Sequence, residues 1–352
     1  MKNIFDLQIS DIDALIQELS QPNFRSAQIW EGIYRHLFES WQELTNIPKD
    51  LREYLQTNFS LSTLQPVDEI SSNDALSTKY LFEMSDGNFV ESVLLRSAER
   101  ITFCISTQSG CPVGCIFCAT GKFGLKRNLT RGEIIEQVIL LCRLLKKSGE
   151  QVTNIVLMGM GEPFLNYEEV IAAVRRFNDP KGLNIGARRI TISTIGIPEK
   201  IIQFAQENLQ VNLAISLHAS NDALRQQLVP LAKKIPIGSV INACRNYVKE
   251  TNRRVTFEYV LIEGVNDAPQ FAFELVKLLR NLTCHVNLIG LNPTEHYAGK
   301  TSPKQVIIEF GRILLTNGIP ATVRISQGAD IQAACGQLAG KVINKRTNNK
   351  IN

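Results

Sequence analysis

Hydrophobic positions along the first 60 residues follow a helical period. Ser10 precedes an acidic turn and an apolar stripe, so the pattern predicts a helix with Ser10 as its N-cap. A second helix is predicted from Ser26 to Phe38, and a third begins after Pro48. Residues 1–60 are therefore predicted to form a small helical domain.

After Lys79 the hydrophobic period changes to the alternation that is typical of strands. Residues 80–84 and 89–95 are rich in aromatic and β-branched side chains. Between them, Ser85-Asp-Gly-Asn contains the Asp-Gly pair of a hairpin turn. Residues 61–96 are therefore predicted to form a linker and a connecting β-hairpin.

From Ile101 onward, short β-branched runs alternate with amphipathic helical segments. Strands are predicted at 101–106, 153–158, 188–193, 211–216, 254–261, 284–289 and 320–325. Helices are predicted near 130–147, 166–178, 198–208, 236–251, 267–280 and 303–316. This alternation predicts βα units and a parallel sheet, so the fold class is α/β. We assign residues 97–345 to this core domain and residues 346–352 to a C-terminal tail.

The length of the core suits a full or partial (β/α) barrel, with a doubly wound sheet as the alternative. In both architectures the active site lies at the carboxyl ends of the strands. Side chains that follow the predicted strands are therefore the first candidates for function.

Composition and charge narrow the class of protein only slightly. Hydrophobic residues make up 44% of the 352 residues and charged residues 20%, as in ordinary globular proteins. The chain has neither an apolar run long enough to cross a membrane nor a secretory signal, so we expect a cytoplasmic protein. The net charge of +4 permits a polyanionic partner without requiring one.

The chain contains eight cysteines, and a reducing compartment disfavours a structural disulfide framework. Cys142, Cys244 and Cys284 lie in apolar periodic segments and are predicted to be small core residues. The other five, which lie in Gly-rich or turn-like places, are candidates for chemistry: Cys104, Cys111, Cys115, Cys118 and Cys335.

Three of these cysteines have the spacing C-x3-C-x2-C directly after the first strand of the βα series. Cys111, Cys115 and Cys118 provide thiolates for three irons of a cubane cluster and leave the fourth iron open to a substrate. The alternative is a structural zinc site, which needs four closed ligands. No fourth Cys or His follows nearby, so the spacing favours an iron–sulfur cluster.

The C-x3-C-x2-C motif resembles the radical S-adenosylmethionine (SAM) signature, and further motifs resemble the RlmN/Cfr family of RNA adenine methyltransferases. These motifs are Cys104-Ile-Ser-Thr-Gln-Ser-Gly-Cys111, Phe117-Cys-Ala-Thr-Gly121, Arg127-Asn-Leu, Met158-Gly-Met-Gly-Glu-Pro163, Ile192-Ser-Thr-Ile-Gly196, Ile215-Ser-Leu-His218 and Asp330-Ile-Gln-Ala-Ala-Cys-Gly-Gln-Leu-Ala-Gly340. The resemblance implies a partial (β/α) barrel of the radical SAM type, a 4Fe–4S cluster and two SAM molecules per turnover.

The resemblance also implies the catalytic residues. Cys335 takes a methyl group from one SAM and becomes S-methylcysteine, and a radical derived from a second SAM activates that methyl for addition to adenine. Cys104 then forms a transient disulfide with Cys335 and releases the RNA, and an external reductant resets the pair. Glu91 is the implied proton acceptor. Strand alternation alone favours an outward-facing position for Glu91, and the resemblance reverses that interpretation.

The resemblance assigns a further set of residues to the binding of SAM, each at the carboxyl end of a predicted strand: Gly161, Glu162, Ser193, Ser216, Leu217, His218 and Asn292. A single Ser or Asn at such a place is usually a cap or turn residue. The prediction therefore depends on the whole set.

The resemblance implies methylation at C2 of an adenine in 23S rRNA, near the peptidyl-transferase centre, and of an adenine in the tRNA anticodon loop. The alternative within the family is Cfr-type C8 methylation of the rRNA, which confers antibiotic resistance. Glu162-Pro163 and Leu338-Ala-Gly340 favour the C2 enzyme. An electron donor such as flavodoxin or ferredoxin, a monomeric state and no membrane association are also expected.

Several basic clusters are candidates for contacts with RNA phosphates: Lys122–Lys126–Arg127, Arg175–Arg176, Arg188–Arg189, Lys233–Lys234 and Arg253–Arg254.

Two rival classes of protein remain. A radical SAM activase that acts on protein would not need Cys104 and Cys335, and a binding module with a cluster but no turnover would produce no 5′-deoxyadenosine.

Overall fold

A computed structural model describes residues 1–324 and 326–338 of the chain. Its N-terminal part contains α1 (Ile9–Glu18), α2 (Phe24–Tyr34) and α3 (Lys49–Asn58). A short parallel bridge between β1 (Lys2–Asn3) and β2 (Phe59–Ser60) joins the start of this part to its end. The three predicted helices are confirmed.

Two of the predicted helix ends are wrong. α1 begins before Ser10, because the Asp11 carboxylate accepts a hydrogen bond from the Gln8 backbone N–H (2.7 Å) and so caps the helix two residues earlier. α2 ends at Tyr34 rather than at Phe38, because the chain reverses there and Leu37 adopts a positive φ of 57°.

An antiparallel region follows, and it is larger than the predicted hairpin. It comprises β3 (Gln65–Ser71), β4 (Ser77–Glu83), β5 (Phe89–Ser97) and β6 (Arg100–Cys104). The segment expected to be a linker thus contains the additional strand β3, and β5 pairs with β6 in the same sheet. The hairpin is therefore an extension of the main sheet.

Seven parallel strands form the rest of this sheet, as the alternation predicted. After β6 they are β9 (Asn154–Leu157), β10 (Ile190–Thr194), β11 (Asn212–Ser216), β12 (Val255–Leu261), β13 (Cys284–Gly290) and β14 (Ala321–Arg324). Each strand pairs with the next one in chain order, and among the described strands β3 and β14 lie at the two edges. A doubly wound sheet would reverse its strand order, so the α/β partial barrel is confirmed.

The main helices between these strands are α5 (Arg131–Lys147), α6 (Tyr167–Asn178), α7 (Pro198–Ala205), α9 (Ile237–Thr251), α10 (Pro269–Leu279) and α11 (Lys304–Thr316). Thr130 caps α5, since its hydroxyl accepts from the Glu133 N–H while the Glu133 carboxylate accepts from the Thr130 N–H.

Four short elements around the strand ends have no counterpart in the predictions. β7 (Gln108–Gly110) pairs with β8 (Leu125–Asn128), α4 (Ala119–Lys122) lies between them, and α8 (Asp222–Leu228) follows β11. The predicted tail, 346–352, and the predicted end of the core, 339–345, lie outside the described residues. No described helix has the length and apolar character needed to cross a membrane.

A buried carboxylate on α5 holds the N-terminal helices against the core. Glu136 is fully buried, and its two oxygens accept hydrogen bonds from the Thr63 and Leu64 backbone N–H groups and from the side chains of Asn3 and Thr63 (2.5–2.9 Å). A buried acceptor with this many donors is costly to remove because each donor loses its partner.

We expect Glu136→Ala to lower the free energy of unfolding by roughly 3 kcal/mol, because buried donors are left unsatisfied. Urea unfolding followed by circular dichroism measures this. The exposed Glu53→Ala is the control and should shift the free energy of unfolding by less than about 0.5 kcal/mol. Equal effects of the two substitutions would contradict the role given to Glu136.

Candidate active site

A cavity of about 250 Å³ lies at the carboxyl ends of the parallel strands. All but two of the predicted site residues line it: Cys104, Cys111, Cys115, Cys118, Gly161, Glu162, Ser193, Ser216, His218, Asn292 and Cys335. Glu91 and Leu217 do not line it. The structure thus brings together residues from seven parts of the chain.

The loop with three cysteines is closely packed on itself and on the C-terminal segment. The Cys118 N–H donates to the Cys115 carbonyl (3.1 Å), and the Ala119 N–H donates to the Gly336 carbonyl (2.7 Å). Gly110 has a φ of +77°, and a Cβ there would lie 1.9 Å from the Gly124 carbonyl oxygen. Only glycine fits this position, which fixes the start of the loop.

The pKa values of the cysteine thiols in this loop differ between a loop without metal and a loop that binds iron. Burial raises the pKa of the Cys111 thiol to about 12, and burial together with the neighbouring thiols raises that of Cys115 well above its ordinary value. Iron would reverse both effects, since a coordinating thiol is deprotonated.

Cys111, Cys115 and Cys118 line one cavity. Three thiols match the donor set of a cubane cluster with one open iron, whereas a structural zinc site takes four closed ligands.

Cys104 and Cys335, which are 231 residues apart in the sequence, line the same cavity. Cys104 ends β6 and packs with Val93, Ala333 and Leu338. Cys335 is exposed to the cavity, and the protein around the cavity desolvates its thiol and raises the pKa. Glu258 adds to this effect, and Arg324 opposes it.

Glu162 is held by the backbone at the edge of the cavity. Its two oxygens accept from the N–H groups of Phe164 (3.0 Å) and Ile195 (2.8 Å). Burial raises the pKa of this carboxyl to about 7 despite these hydrogen bonds. A carboxylate with this burial is well suited to meet a cationic group of a ligand.

Two serines and an asparagine face the cavity from the neighbouring strands. The hydroxyls of Ser193 and Ser216 are 3.3 Å apart, and Asn292 donates to the Cys335 carbonyl (3.0 Å). Leu217 is fully buried, and its backbone N–H donates to the Glu258 carbonyl (3.0 Å). Leu217 therefore supports the strand end without lining the cavity.

His218 is a buried neutral imidazole. Its Nδ1 accepts the Val260 N–H (3.2 Å), so the ring proton is on Nε2, and the ring lies edge-on to Phe117. Burial and the nearby Arg225 lower its pKa to about 3. Its φ of +58° is a left-handed conformation that Asn also tolerates.

We expect His218 to make the fold sensitive to acid. The unfolded histidine takes up a proton near pH 6.5 and the folded one does not, so stability is full above pH 6.5 and falls as the pH falls towards 3. This contribution amounts to about 1.4 kcal/mol per pH unit. His218→Asn should show a shallower slope of unfolding free energy between pH 6.5 and 5; identical slopes would contradict this explanation.

Glu91 lies on β5 and is buried, so the outward-facing interpretation is wrong. Its side chain is only 1% exposed, because the C-terminal segment covers this face of the sheet. Lys79 on β4 forms an ion pair with it, with 3.4 Å between Nζ and Oε1. Leu95, which lies four residues after Glu91 on the same face of β5, does line the cavity.

Two charged residues that the sequence analysis did not select also line the cavity. Glu258 is in register with Ser216 on β11 and Asn287 on β13, and Asn287 Nδ2 donates to its Oε1 (2.8 Å). Arg324 ends β14. The sequence does mark Glu258 as unusual, because it is a carboxylate within the otherwise mainly apolar strand β12.

Some residues of the basic clusters contact other side chains of the protein, and others are exposed. Arg127 pairs with Asp86 and Glu133, Arg175 pairs with Glu207, and Arg176 is buried over the Trp30 ring (3.8 Å). These arginines serve the fold. Exposed lysines adjoin the cysteine loop and α8: Lys122, Lys126, Lys233 and Lys234.

Comparisons with known families agree with this geometry. The family model described as the radical SAM superfamily matches residues 105–294. The model described as the ribosomal RNA large subunit methyltransferase N-terminal domain matches residues 2–61. The two matches together include the N-terminal helices and the cysteine loop.

Full-length similarity extends to named relatives and to a solved structure. The chain is 48% identical to a probable dual-specificity RNA methyltransferase RlmN from Thermotoga sp. (strain RQ2), over 97% of this chain and 99% of that protein. It is 44% identical to a protein of the same name from Halalkalibacterium halodurans, over 97% and 94%. A radical SAM methyltransferase from Sphaerobacter thermophilus superposes with a TM-score of 0.94 at 49% identity, over 97% and 100%.

Proposed function

The chain belongs to the RlmN family of radical SAM RNA methyltransferases, and on that premise we propose that it methylates C2 of a specific adenine in 23S rRNA and of an adenine in the tRNA anticodon loop. It is a SAM-dependent enzyme with a 4Fe–4S cluster, as the radical SAM superfamily requires. Cys111, Cys115 and Cys118 are the proposed cluster ligands.

The observation that supports this proposal most strongly is the placement of Cys104 and Cys335 in the cavity that the cysteine loop lines. A radical SAM activase that acts on protein has no need of two more thiols there. An enzyme that carries a methyl group on one sulfur and releases it with another needs both thiols.

Cys335 is the proposed methyl carrier. Its thiolate displaces the methyl group of one SAM, which forms a carbon–sulfur bond on Cys335. The carbon at C2 of adenine is amidine-like and too poor a nucleophile to attack SAM directly. The cluster, when bound, supplies the electron that cleaves a second SAM and so allows a hydrogen atom to be removed from the methylated Cys335.

Release of the product requires a base and a second thiol. Glu91 is the proposed acceptor of the proton that leaves the methylated ring carbon. The Cys104 thiolate attacks the Cys335 sulfur and forms a disulfide. The bond from that sulfur to carbon breaks, and the released carbon keeps the electron pair and takes up a proton to become the methyl group. The packing of Cys104 against Ala333, two residues before Cys335, supports this pairing.

The SAM contacts are proposed for the polar edge of the cavity. Glu162 would accept from the amino group of SAM, with Gly161 allowing close approach of the backbone. Ser193, Ser216, His218 and Asn292 provide further polar atoms, and Leu217 supports them from behind.

RNA must present an unstacked adenine, because the cavity is small and enclosed by the C-terminal segment. Lys122, Lys126, Lys233 and Lys234 are the proposed phosphate contacts, since they are exposed beside the cysteine loop. We further propose a cytoplasmic monomer that receives electrons from a flavodoxin or ferredoxin.

Mass spectrometry of nucleosides tests the regiochemistry. Unmodified 23S rRNA and tRNA are incubated anaerobically with the reconstituted enzyme, SAM and reductant. The proposal predicts 2-methyladenosine in both RNAs. Appearance of 8-methyladenosine in the rRNA would instead establish the Cfr-type reaction, and no methylated adenosine in either RNA would refute the substrate assignment.

A further inference from the structure

A buried ion pair between β4 and β5 includes a lysine to which no role has been given. Lys79 is 4% exposed and Glu91 is 1% exposed, and their charged atoms are 3.4 Å apart. Lys79 lies on β4 opposite Val93 on β5, so the pair is diagonal across two neighbouring strands.

The same ammonium group also reaches the segment that carries Cys335. Lys79 Nζ donates to the Gln332 carbonyl (3.3 Å). Gln332 has a positive φ of 54°, so its carbonyl direction depends on an uncommon backbone conformation. Lys79 thus connects the proposed base to the loop of the proposed methyl carrier, three residues before Cys335.

We propose that Lys79 is a positioning residue that keeps Glu91 ionised and holds it against the Cys335 segment during release of the RNA; this inference rests on the proposed function. A carboxylate buried to this degree without a cation would take up a proton and lose its ability to accept another. The ammonium of Lys79 supplies that cation, and the Gln332 carbonyl fixes where it lies.

Stability alone is a weak reason for this pair. Buried ion pairs can often be replaced by apolar residues without loss of stability, because taking two charges out of water offsets much of their attraction. A pair that orients a base beside a reacting loop has a functional reason to be charged.

The step that Lys79 supports is a single proton transfer. Addition of the methylene radical from Cys335 to the ring carbon leaves one unpaired electron in the ring, which the oxidised cluster, when bound, would take back. The hydrogen on that ring carbon then moves as a proton to a Glu91 oxygen, and its bonding electrons restore the aromatic ring. The Lys79 ammonium stabilises the carboxylate before the transfer.

Lys79→Met and Lys79→Gln test this role in the full-length enzyme with its cluster. Methylation of Cys335 and cleavage of SAM should stay within about twofold of the unaltered enzyme, while release of RNA from the adduct should slow by at least about tenfold, as expected for loss of general-base function. Glutamine retains a donor for the Gln332 carbonyl and removes only the charge. Lys79→Arg, which restores the charge, should recover most of the release rate.

The adduct is measured after an acid quench as RNA that comigrates with protein on a denaturing gel. Glu91→Gln gives the reference rate of RNA release in an enzyme that lacks the proposed base. If Lys79 acts through Glu91, the double variant with Lys79→Met and Glu91→Gln releases RNA no more slowly than Glu91→Gln alone. The double variant removes both charges together, so it also controls for the destabilising effect of a buried unpaired charge on folding.

The outcomes separate the two proposals. If Cys104→Ala accumulates no adduct, the proposed function fails. If Cys104→Ala accumulates adduct but Lys79→Met and Lys79→Gln release RNA at the unaltered rate, or slow every step equally, the role of Lys79 is overturned. Additive slowing in the double variant would also overturn it.

Discussion

Cys335→Ala is expected to reduce methylation of RNA to background while SAM is still cleaved under a strong reductant. The substitution removes the only proposed carrier of the methyl group, and the residues proposed to hold the cluster and SAM are unchanged. Radiolabelled methyl incorporation and 5′-deoxyadenosine formation, measured in the same anaerobic reaction, separate the two activities.

Cys244→Ala is the matched control for this variant. Cys244 is a fully buried cysteine on α9, outside the cavity, and is expected to affect only packing. It should leave methyl incorporation close to the unaltered value. Full methylation by Cys335→Ala would contradict the carrier mechanism, whatever the outcome for Cys244→Ala.

Cys118→Ala is expected to abolish both methylation and SAM cleavage. Two remaining thiols in the loop hold too few irons to stabilise a cubane, so the purified variant should contain little iron and lack the visible absorbance of the cluster. Iron analysis and 5′-deoxyadenosine formation measure these effects, and the second should fall to background.

Cys142→Ala serves as the control because Cys142 is buried on α5, away from the cavity. It should retain iron and turnover, apart from a modest loss of stability for the missing sulfur. A Cys118→Ala enzyme with full iron content and SAM cleavage would refute the assignment of the loop as the cluster site.

The parallel strands were predictable because each is a short apolar run between amphipathic helices, and both properties are local. β3 was not predictable from the same rules. Its sequence, Gln65–Ser71, has no regular apolar alternation, and every residue except Ile70 is exposed, because it is an edge strand with little apolar surface to bury. Its pairing with β4 depends on backbone hydrogen bonds that no hydrophobic pattern reveals.

The site was predictable where the chemistry depends on spacing, as in the cysteine loop. Where it depends on packing between distant segments, residue patterns were not enough. Strand alternation could not tell which face of β5 the C-terminal segment covers, and so it placed Glu91 outward. Lys79 and Glu258 were missed for the same reason, since their partners lie on other strands.

The central claim is that the methyl group reaches adenine through Cys335 and a radical, and deuterium counting tests it most directly. With SAM that carries a fully deuterated methyl group, one deuterium should be lost to 5′-deoxyadenosine. The account predicts 2-methyladenosine with two deuterium atoms in its methyl group and 5′-deoxyadenosine with one. A product methyl group with all three deuterium atoms would mean direct transfer from SAM and would contradict the account.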